Sequence, residues 1–279
     1  MMAKPAQDQP YLQVNLLDKE FEQISRWVYQ AAGIRLSNNK KALVSSRLAG
    51  RLRELQFSSF QQYIDMLTHP KHPLSVVERQ TAINLLTTNE TFFFREIAHF
   101  DFIREVILPL KAERKLRCWS AASSTGEEAY SLAMMLAQYH NGPWEIVGTD
   151  INAEVLEKAR NAIYPMLRAD NIPKAQLHQF CLKGTGSKVG TFKIARELRR
   201  HVSFRQANLQ QLPDDLGQFD LVFLRNVMIY FDAASKERVI ANVQRQMKPG
   251  SYLLIGHAES LNGIANQLTL IRPSIYLVA

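Results

Sequence analysis

The sequence is short of cysteine and of long apolar runs, and both shortages limit what the protein can be. Its 279 residues include two cysteines, Cys118 and Cys181, in no Cys-x-x-Cys or Cys/His arrangement. We therefore expect neither a disulfide framework nor a structural zinc site. No stretch approaches the roughly 18 apolar residues of a membrane span, and residues 1–10 lack the apolar core of a signal peptide. These absences predict a soluble protein of a reducing compartment, the cytoplasm, without membrane insertion.

Acidic residues are outnumbered by basic ones. The chain has 34 lysines and arginines against 26 aspartates and glutamates, a formal net charge of +8. Such an excess is compatible with a nucleic acid, an anionic membrane or an acidic protein surface as partner. It is equally compatible with ordinary solubility, and net charge alone leaves these alternatives open.

Strand signals are missing from the first 110 or so residues. Residues 1–16 are polar and predict a flexible tail, 17–90 a helical N-terminal domain, and 91–110 a linker helix. Within the helical domain, apolar residues recur at steps of four, four and three along one predicted helix face. These residues are Val44, Leu48, Leu52 and Leu55.

From residue 111 onward, strand and helix patterns alternate. This order predicts an α/β fold over 111–279, with a doubly wound, Rossmann-like parallel sheet. The segment of about 178–203 departs from the alternation, because it is rich in glycine and basic residues and has short alternating runs. We interpret it as a small antiparallel β insertion.

The loop after the first strand, SAASSTGEE, is poor in glycine. It has Gly126 alone where a dinucleotide fingerprint has three glycines, and Glu127 and Glu128 would repel a diphosphate at the helix N-terminus. Asp150 ends the second predicted strand, where a carboxylate can accept hydrogen bonds from ribose hydroxyls. A ligand with a cationic centre and a free ribose fits better, and S-adenosylmethionine has both. Alternatively, the glutamates serve only the helix dipole and Asp150 only caps a helix.

Five motifs together resemble those of the chemotaxis receptor glutamate O-methyltransferases. They occur in the family's order and, with the segments between them, extend the resemblance over nearly the whole chain past residue 20. The motifs are TTNETFFFRE (87–96), CWSAASSTGEEAYSLAM (118–134), VGTDIN (147–152), ANL (207–209) and FLRNVMIYFD (223–232). The resemblance implies an enzyme that methylates glutamate side chains on cytoplasmic chemoreceptor helices with S-adenosylmethionine, releasing S-adenosylhomocysteine and using no metal.

The resemblance also implies roles for individual residues. Arg95 and Tyr230 would be catalytic, closest to the transferred methyl group. Of the adjacent glutamates in the first loop, Glu127 is preferred to Glu128 because it follows Gly126 directly. The implied cofactor-binding residues are Asn89, Thr91, Arg95, Glu127, Asp150, Asn208, Leu209, Arg225 and Asn226.

Partners follow from the same resemblance. Lys40, Arg47 and Arg51 share one side of a predicted helix, and we expect them to dock the receptor's signalling domain. The β insertion is a candidate site for the receptor's C-terminal peptide. The segment Arg-Asn-Val-Met-Ile-Tyr, 225–230, lacks the Pro-Pro of enzymes that methylate base amines, so no nucleic acid partner is expected. We expect a monomer; a docking scaffold without catalysis is the alternative that cofactor binding would exclude.

Overall fold

The computed structural model describes residues 14–279, and the predicted tail lies outside these residues up to position 13. The chain divides into two units. One runs to Gln30 and resumes over Leu36–Leu86, and the other comprises Ala31–Arg35 and Thr87–Ala279.

The first unit is helical, as its sequence predicts. Its elements are α1 (Asp18–Ala32, whose last two residues belong to the second unit), a 3-10 turn (Asn38–Lys40), α2 (Lys41–Glu54), α3 (Phe60–Thr68) and α4 (Ser75–Leu86). Val44, Leu48 and Leu52, on the predicted apolar face of α2, are buried. Ser59 caps α3 by accepting a hydrogen bond from the backbone N–H of Gln62 at 3.3 Å.

One buried carboxylate, Glu78 of α4, joins two other helices of this unit. It accepts hydrogen bonds from the guanidinium of Arg51, at 2.8 and 2.6 Å, and from the hydroxyl of Tyr63 at 2.7 Å. Its side chain is 3% exposed, whereas Glu54, which also pairs with Arg51, is 64% exposed. The ion pair with Glu78 is therefore the one that is shielded from water.

The second unit is built on a seven-stranded sheet with the doubly wound α/β architecture that the alternation predicts. Its order is β6-β2-β1-β7-β8-β10-β9, in which the first five strands are parallel and the last two form an antiparallel pair at the edge. The strands are β1 (Leu116–Ala121), β2 (Trp144–Asp150), β6 (Val202–Gln206), β7 (Phe219–Leu224), β8 (Met247–Ile255), β9 (Leu268–Arg272) and β10 (Ile275–Val278).

Helices cover both faces of this sheet, which is why its central strands are apolar throughout. Along β7, Leu221 and Phe223 enter one hydrophobic core, while Val222 and Leu224 enter the other. The helices of the second unit are α5 (Ile97–Phe102), α6 (Leu108–Leu110), α7 (Glu127–Tyr139), α8 (Ala153–Asn161), α9 (Lys174–Phe180), α10 (Arg196–Arg199) and α11 (Ala233–Arg245).

The β insertion is antiparallel, but it begins earlier than its sequence predicts. A second sheet has the order β3-β5-β4, with β3 at Ile163–Pro165, β4 at Cys181–Lys183 and β5 at Thr191–Ile194. Strand β3 lies outside the predicted 178–203. Its three residues carry no usable period, and their strand character comes from pairing with β5 across a long sequence separation.

The segment predicted as one linker helix over 91–110 is helical only in its second part. Residues 91–96 are non-helical, and a π-helical stretch, Ile103–Ile107, separates α5 from α6. Pro109 has no N–H for the carbonyl four residues earlier, which favours such an irregularity. Within residues 14–279, no helix combines the length and the hydropathy needed to cross a membrane.

The two carboxylates paired with Arg51 offer a matched test of the helical unit. Glu78→Ala leaves the buried phenol of Tyr63 without its acceptor and the half-buried guanidinium of Arg51 with the exposed Glu54, and we expect it to destabilise the protein by about 3 kcal/mol. Glu54→Ala removes an exposed partner of the same arginine and should cost at most about 1 kcal/mol. Urea unfolding followed by circular dichroism measures both. Equal losses of unfolding free energy in the two variants would contradict the idea that the burial of Glu78 makes its ion pair the more important one.

Candidate active site

Several of the predicted cofactor-binding residues lie at the carboxyl ends of the parallel strands, where open α/β sheets bind ligands. β1 lies between β2 and β7, so the strand order reverses there. Glu127 opens α7 after β1, Asp150 is the last residue of β2, Asn208 follows β6, and Arg225 follows β7.

Arg225 is buried and held by two carboxylates. Its guanidinium donates to Glu96 at 3.0 and 3.3 Å and to Glu128 at 3.0 Å. It also donates to the carbonyl oxygen of Arg95 and lies 5.3 Å from the centre of the Phe223 ring. The Arg225 side chain is 1% exposed, so these contacts replace its hydration. Through them it fixes the backbone at Arg95 against the end of β7.

Asn226, the other polar residue of FLRNVMIYF, adopts a left-handed backbone conformation with φ of 58°. Asparagine tolerates this region better than most residues. Its amide nitrogen donates to Glu96 at 3.2 Å, and its backbone N–H donates to Glu259 at 2.9 Å. Glu259 also accepts from the backbone of Met228 and Gly256, at 2.8 and 2.7 Å, so one carboxylate shapes the loop after β7.

The adjacent glutamates of the first loop have different partners. Glu128 accepts from Ser120 at 2.6 Å and pairs with Arg225. Glu127 is 2% exposed and accepts from the Thr125 hydroxyl at 2.5 Å, while Arg168 lies 4.0 Å away. Burial raises the pKa of both carboxyls, and these partners oppose the rise. The negative charge of Glu127 is therefore the less compensated of the two, and it is the one that can pair with a cationic ligand.

Asp150 is buried with both carboxylate oxygens oriented by the backbone. One oxygen accepts from the N–H of Ser124 and the other from the N–H of Asn152, each at 2.9 Å. Burial raises the pKa of Asp150, and the backbone N–H groups oppose the rise. Each oxygen keeps a further lone pair. The arrangement can accept two hydroxyl groups, as a ribose would require.

Bridging side chains bring the predicted residues of the 87–96 segment to the same loops. Ser124, which donates its N–H to Asp150, also donates its hydroxyl to the carbonyl of Asn89 at 2.7 Å. Arg168 donates to the carbonyl of Thr91 at 2.6 Å and also lies near Glu127.

The resemblance implies that Arg95 is catalytic. A hydrogen bond holds its backbone in place, whereas its guanidinium pairs with no carboxylate of the described residues. Its carbonyl accepts from Arg225, while its guanidinium donates to the carbonyl of Glu90 at 3.2 Å and lies 5.4 Å from the centre of the Phe92 ring. Within residues 14–279, the half-buried side chain of Arg95 forms no ion pair with a carboxylate.

A short stretch at 31–35 supports the residues after β6 and β7. The side chain of Asn208 donates to the carbonyl of Ala31 at 2.8 Å, and the carbonyl of Tyr230 accepts from the N–H of Arg35 at 2.9 Å. Gly33, with φ of 71°, lets Gln210 approach where a Cβ would collide with it. Leu209 is buried in the core. The Asn208 amide nitrogen is thus engaged structurally.

The predicted docking residues lie in the first unit and differ in their surroundings. Lys40 is exposed. Arg47 is half-buried and donates to the carbonyl of Leu85 at 3.1 Å. Arg51 is occupied by Glu78 and Glu54. All three belong to the helical unit, whereas the predicted cofactor-binding residues belong to the second unit.

Several supporting residues escaped the sequence-based prediction. Glu96 and Glu128 stand inside the quoted motifs, but nothing in their spacing reveals Arg225 as their common partner. Glu259, in HAES, follows β8 at the ligand-binding edge of the sheet, which is a signal that could have found it. Arg168 lies in a short 3-10 helix, Met166–Ala169, which carries no such signal.

Comparisons with known proteins identify the family of the chain. The family model described as "CheR methyltransferase, SAM binding domain" matches residues 89–277, and "CheR methyltransferase, all-alpha domain" matches residues 19–87. The chain belongs to the CheR methyltransferase family. It is therefore a methyltransferase whose larger unit binds S-adenosylmethionine.

Curated relatives match over most of their length. The chemotaxis protein methyltransferase of Escherichia coli K12 is 38% identical over 268 residues, covering 95% of this chain and 92% of the relative. That of Borreliella burgdorferi is 37% identical over 278 residues, covering 95% of this chain and 96% of the relative. Chemotaxis protein methyltransferase 2 of Pseudomonas aeruginosa is 36% identical over 263 residues, covering 92% of each.

The ion pairs of Arg225 give a test of what holds this site together. Arg225→Met keeps side-chain length but leaves Glu96 and Glu128 mostly buried without a cation, and we expect a loss of about 3–5 kcal/mol in the free energy of unfolding. Arg205→Met removes an arginine that is 40% exposed and pairs with exposed Asp215. This control should cost at most about 1 kcal/mol. Comparable urea midpoints for the two variants would contradict the assignment.

Proposed function

We propose that this protein transfers methyl groups from S-adenosylmethionine to glutamate side chains on the cytoplasmic helices of chemoreceptors, giving glutamate methyl esters and S-adenosylhomocysteine. Membership of the family and the names of its relatives support the substrate class. The surroundings of Arg95 are the observation that supports the chemistry most directly. Its side chain is a guanidinium at the ligand-binding edge with no carboxylate partner in the described chain, beside carboxylates that are all engaged or buried.

The proposed cofactor contacts follow from the charges of the site. Glu127 has a buried carboxylate whose nearest cation is 4.0 Å away, which suits the cofactor's ammonium group. Asp150 is oriented to accept two hydroxyls of the ribose. We assign the adenine to the backbone and apolar side chain of Asn208 and Leu209, because the Asn208 amide nitrogen is engaged by Ala31.

Further contacts come from the 87–96 segment and the loop after β7. Asn89 and Thr91 are held to the pocket loops by Ser124 and Arg168. Asn226 is placed by Glu96 and Glu259, and Arg225 contributes through its backbone because its guanidinium is fully occupied. When bound, the cofactor supplies an electrophilic methyl group on a sulfonium centre.

The chain's own residues need to provide alignment more than proton transfer. A glutamate substrate is already ionised near pH 7, since its ordinary pKa is about 4.3, so no general base is required. Arg95 can orient the incoming carboxylate through a bidentate contact. Too strong a grip would slow the reaction, because the nucleophile loses charge in the transition state. We place Tyr230 beside Arg95 at the reacting end, as the resemblance implies.

Receptor docking is proposed for two surfaces. Of the three predicted docking residues, Lys40 is exposed. Arg47 and Arg51 already bind groups of this protein, which leaves fewer of their hydrogen-bond donors for a receptor. In the small sheet, β5 is the central strand, and β4 has one edge open within the described residues. Leu182 on β4 is 60% exposed. A receptor C-terminal peptide can add a strand to this edge.

Methyl transfer from labelled cofactor to a panel of chemoreceptor signalling domains, with and without their C-terminal tails, tests the proposal. We expect base-labile label, released as methanol, because the product is an ester. Arg95→Ala should lower the turnover number by about 100-fold, as expected for loss of one charged orienting group, while the cofactor dissociation constant changes far less. The exposed Arg160→Ala serves as the control.

Two results would count against this proposal. Base-stable label, or no transfer to any receptor domain, would contradict glutamate esterification. Near-normal turnover by Arg95→Ala, with transfer otherwise intact, would contradict only the role of Arg95.

The raised pKa of Glu127 predicts how cofactor binding depends on pH. Below that raised pKa the carboxyl is neutral and loses its attraction for an ammonium group. Cofactor affinity should therefore fall on acidification, beginning at a higher pH than an ordinary glutamate would give. Glu127→Gln should bind about tenfold more weakly at neutral pH and lose this acid dependence.

Calorimetric titration at several pH values measures the effect, with the exposed Glu157→Gln as control. A Glu127→Gln variant that keeps the wild-type pH profile would exclude Glu127 as the ammonium partner.

A further inference from the structure

Three side chains beside the pocket bring metal-binding atoms together. Glu96, at the start of α5, His99, within α5, and His257, after β8, each offer one donor atom, and these atoms all lie within 4.8 Å of one another. Glu96 Oε2 lies 3.5 Å from Nδ1 of His99 and 3.9 Å from Nε2 of His257. The two imidazole rings contact each other edge to face, with centroids 4.7 Å apart.

The hydrogen bonds of Ser274 favour one tautomer of His99. The Ser274 hydroxyl has one proton, which it donates to the carbonyl of Pro273 at 2.6 Å. Its oxygen can then only accept from Nε2–H of His99, at 2.8 Å. In this arrangement the proton of the neutral ring is on Nε2, and Nδ1 carries a lone pair.

That lone pair has no hydrogen-bond partner among the described residues, although His99 is 1% exposed. It is directed at Glu96, whose carboxylate is also an acceptor and has no proton to give. A buried acceptor without a donor is unfavourable, and such a group calls for an explanation. A cation between the nitrogen and the carboxylate would satisfy both.

The surroundings can balance the charge of such a cation. Arg225 is shared by Glu96 and Glu128, so one negative charge of this group is left over. Arg225 and Asn226 also hold the Glu96 carboxylate in place, as outer partners do for metal-ligating carboxylates. The hydrogen bond from His99 Nε2–H to Ser274 has the same effect on the imidazole.

We propose that Glu96, His99 and His257 form a binding site for Zn²⁺ or a similar borderline divalent cation. Two imidazole nitrogens and one carboxylate oxygen are ligands that zinc accepts, whereas Ca²⁺ and Mg²⁺ prefer oxygen alone. Zn–ligand bonds of about 2.0–2.1 Å place tetrahedral ligands about 3.4 Å apart. The His99–Glu96 distance of 3.5 Å already meets this, and His257, with a side chain 51% exposed, can move closer. The fourth position is left for water.

Cobalt(II) is a suitable probe, because it takes zinc sites and its visible absorption reports coordination. We expect the full chain, without a histidine tag, to bind one equivalent of Co²⁺ with the intense visible bands of a four- or five-coordinate ion, and Zn²⁺ to displace it. His257→Ala removes an exposed ligand without disturbing the core and should weaken Co²⁺ binding by at least about tenfold. His69→Ala, which removes an exposed histidine from the sequence HPKHP at 69–73, should leave Co²⁺ binding unchanged.

Several outcomes would overturn the proposal. They are the absence of these bands, unchanged affinity in His257→Ala, loss of the bands in His69→Ala, or a cobalt–thiolate charge-transfer band, which would place the ion on Cys118 or Cys181. Circular dichroism of each variant confirms that the fold is intact.

Discussion

The buried guanidinium of Arg225 is the interaction on which the site depends. An unpaired charge in that position would cost several kcal/mol, so the strand end cannot be buried until compensating groups arrive. They come from two separate segments, Glu96 before α5 and Glu128 in the first turn of α7. The same guanidinium also donates a hydrogen bond to the carbonyl oxygen of Arg95. One residue therefore sets the relative positions of three chain segments that form the pocket.

This constraint also separates the roles of two adjacent glutamates. Consecutive helical residues point about 100° apart, so Glu127 and Glu128 cannot both reach Arg225. Glu128 does, and its charge is compensated within the protein. Glu127 is left buried with a distant arginine and a hydroxyl. A buried carboxylate with so little compensation favours a cationic ligand, which explains in physical terms why a positively charged cofactor suits this pocket.

Local periodicity accounts for what the sequence could predict. The mostly apolar run FDLVFL at 219–224 predicts a strand buried on both faces, and Arg225 and Asn226 then mark its end at the ligand-binding edge, where Asp150 also lies. Such inferences need a few neighbouring residues only. Strand β3 and the support from 31–35 could not be predicted, because each depends on a partner far along the chain. The place of Glu259 after β8 was a signal for that residue, but its contacts with the loop after β7 were not predictable for the same reason. The partners of Arg225 could not be predicted for the same reason.

The net charge of +8 is compatible with an anionic partner, yet the pocket is rich in carboxylates. On the proposed function, the two observations concern different ligands. The cofactor carries positive charge and meets Glu127 and the carboxylates around it, whereas the receptor carries glutamates and meets basic groups. Arg95 is where these requirements meet: it stands beside the acidic pocket, but no carboxylate of the described chain neutralises it. On the proposed function, an incoming glutamate would therefore find a positive partner beside the methyl group that it accepts.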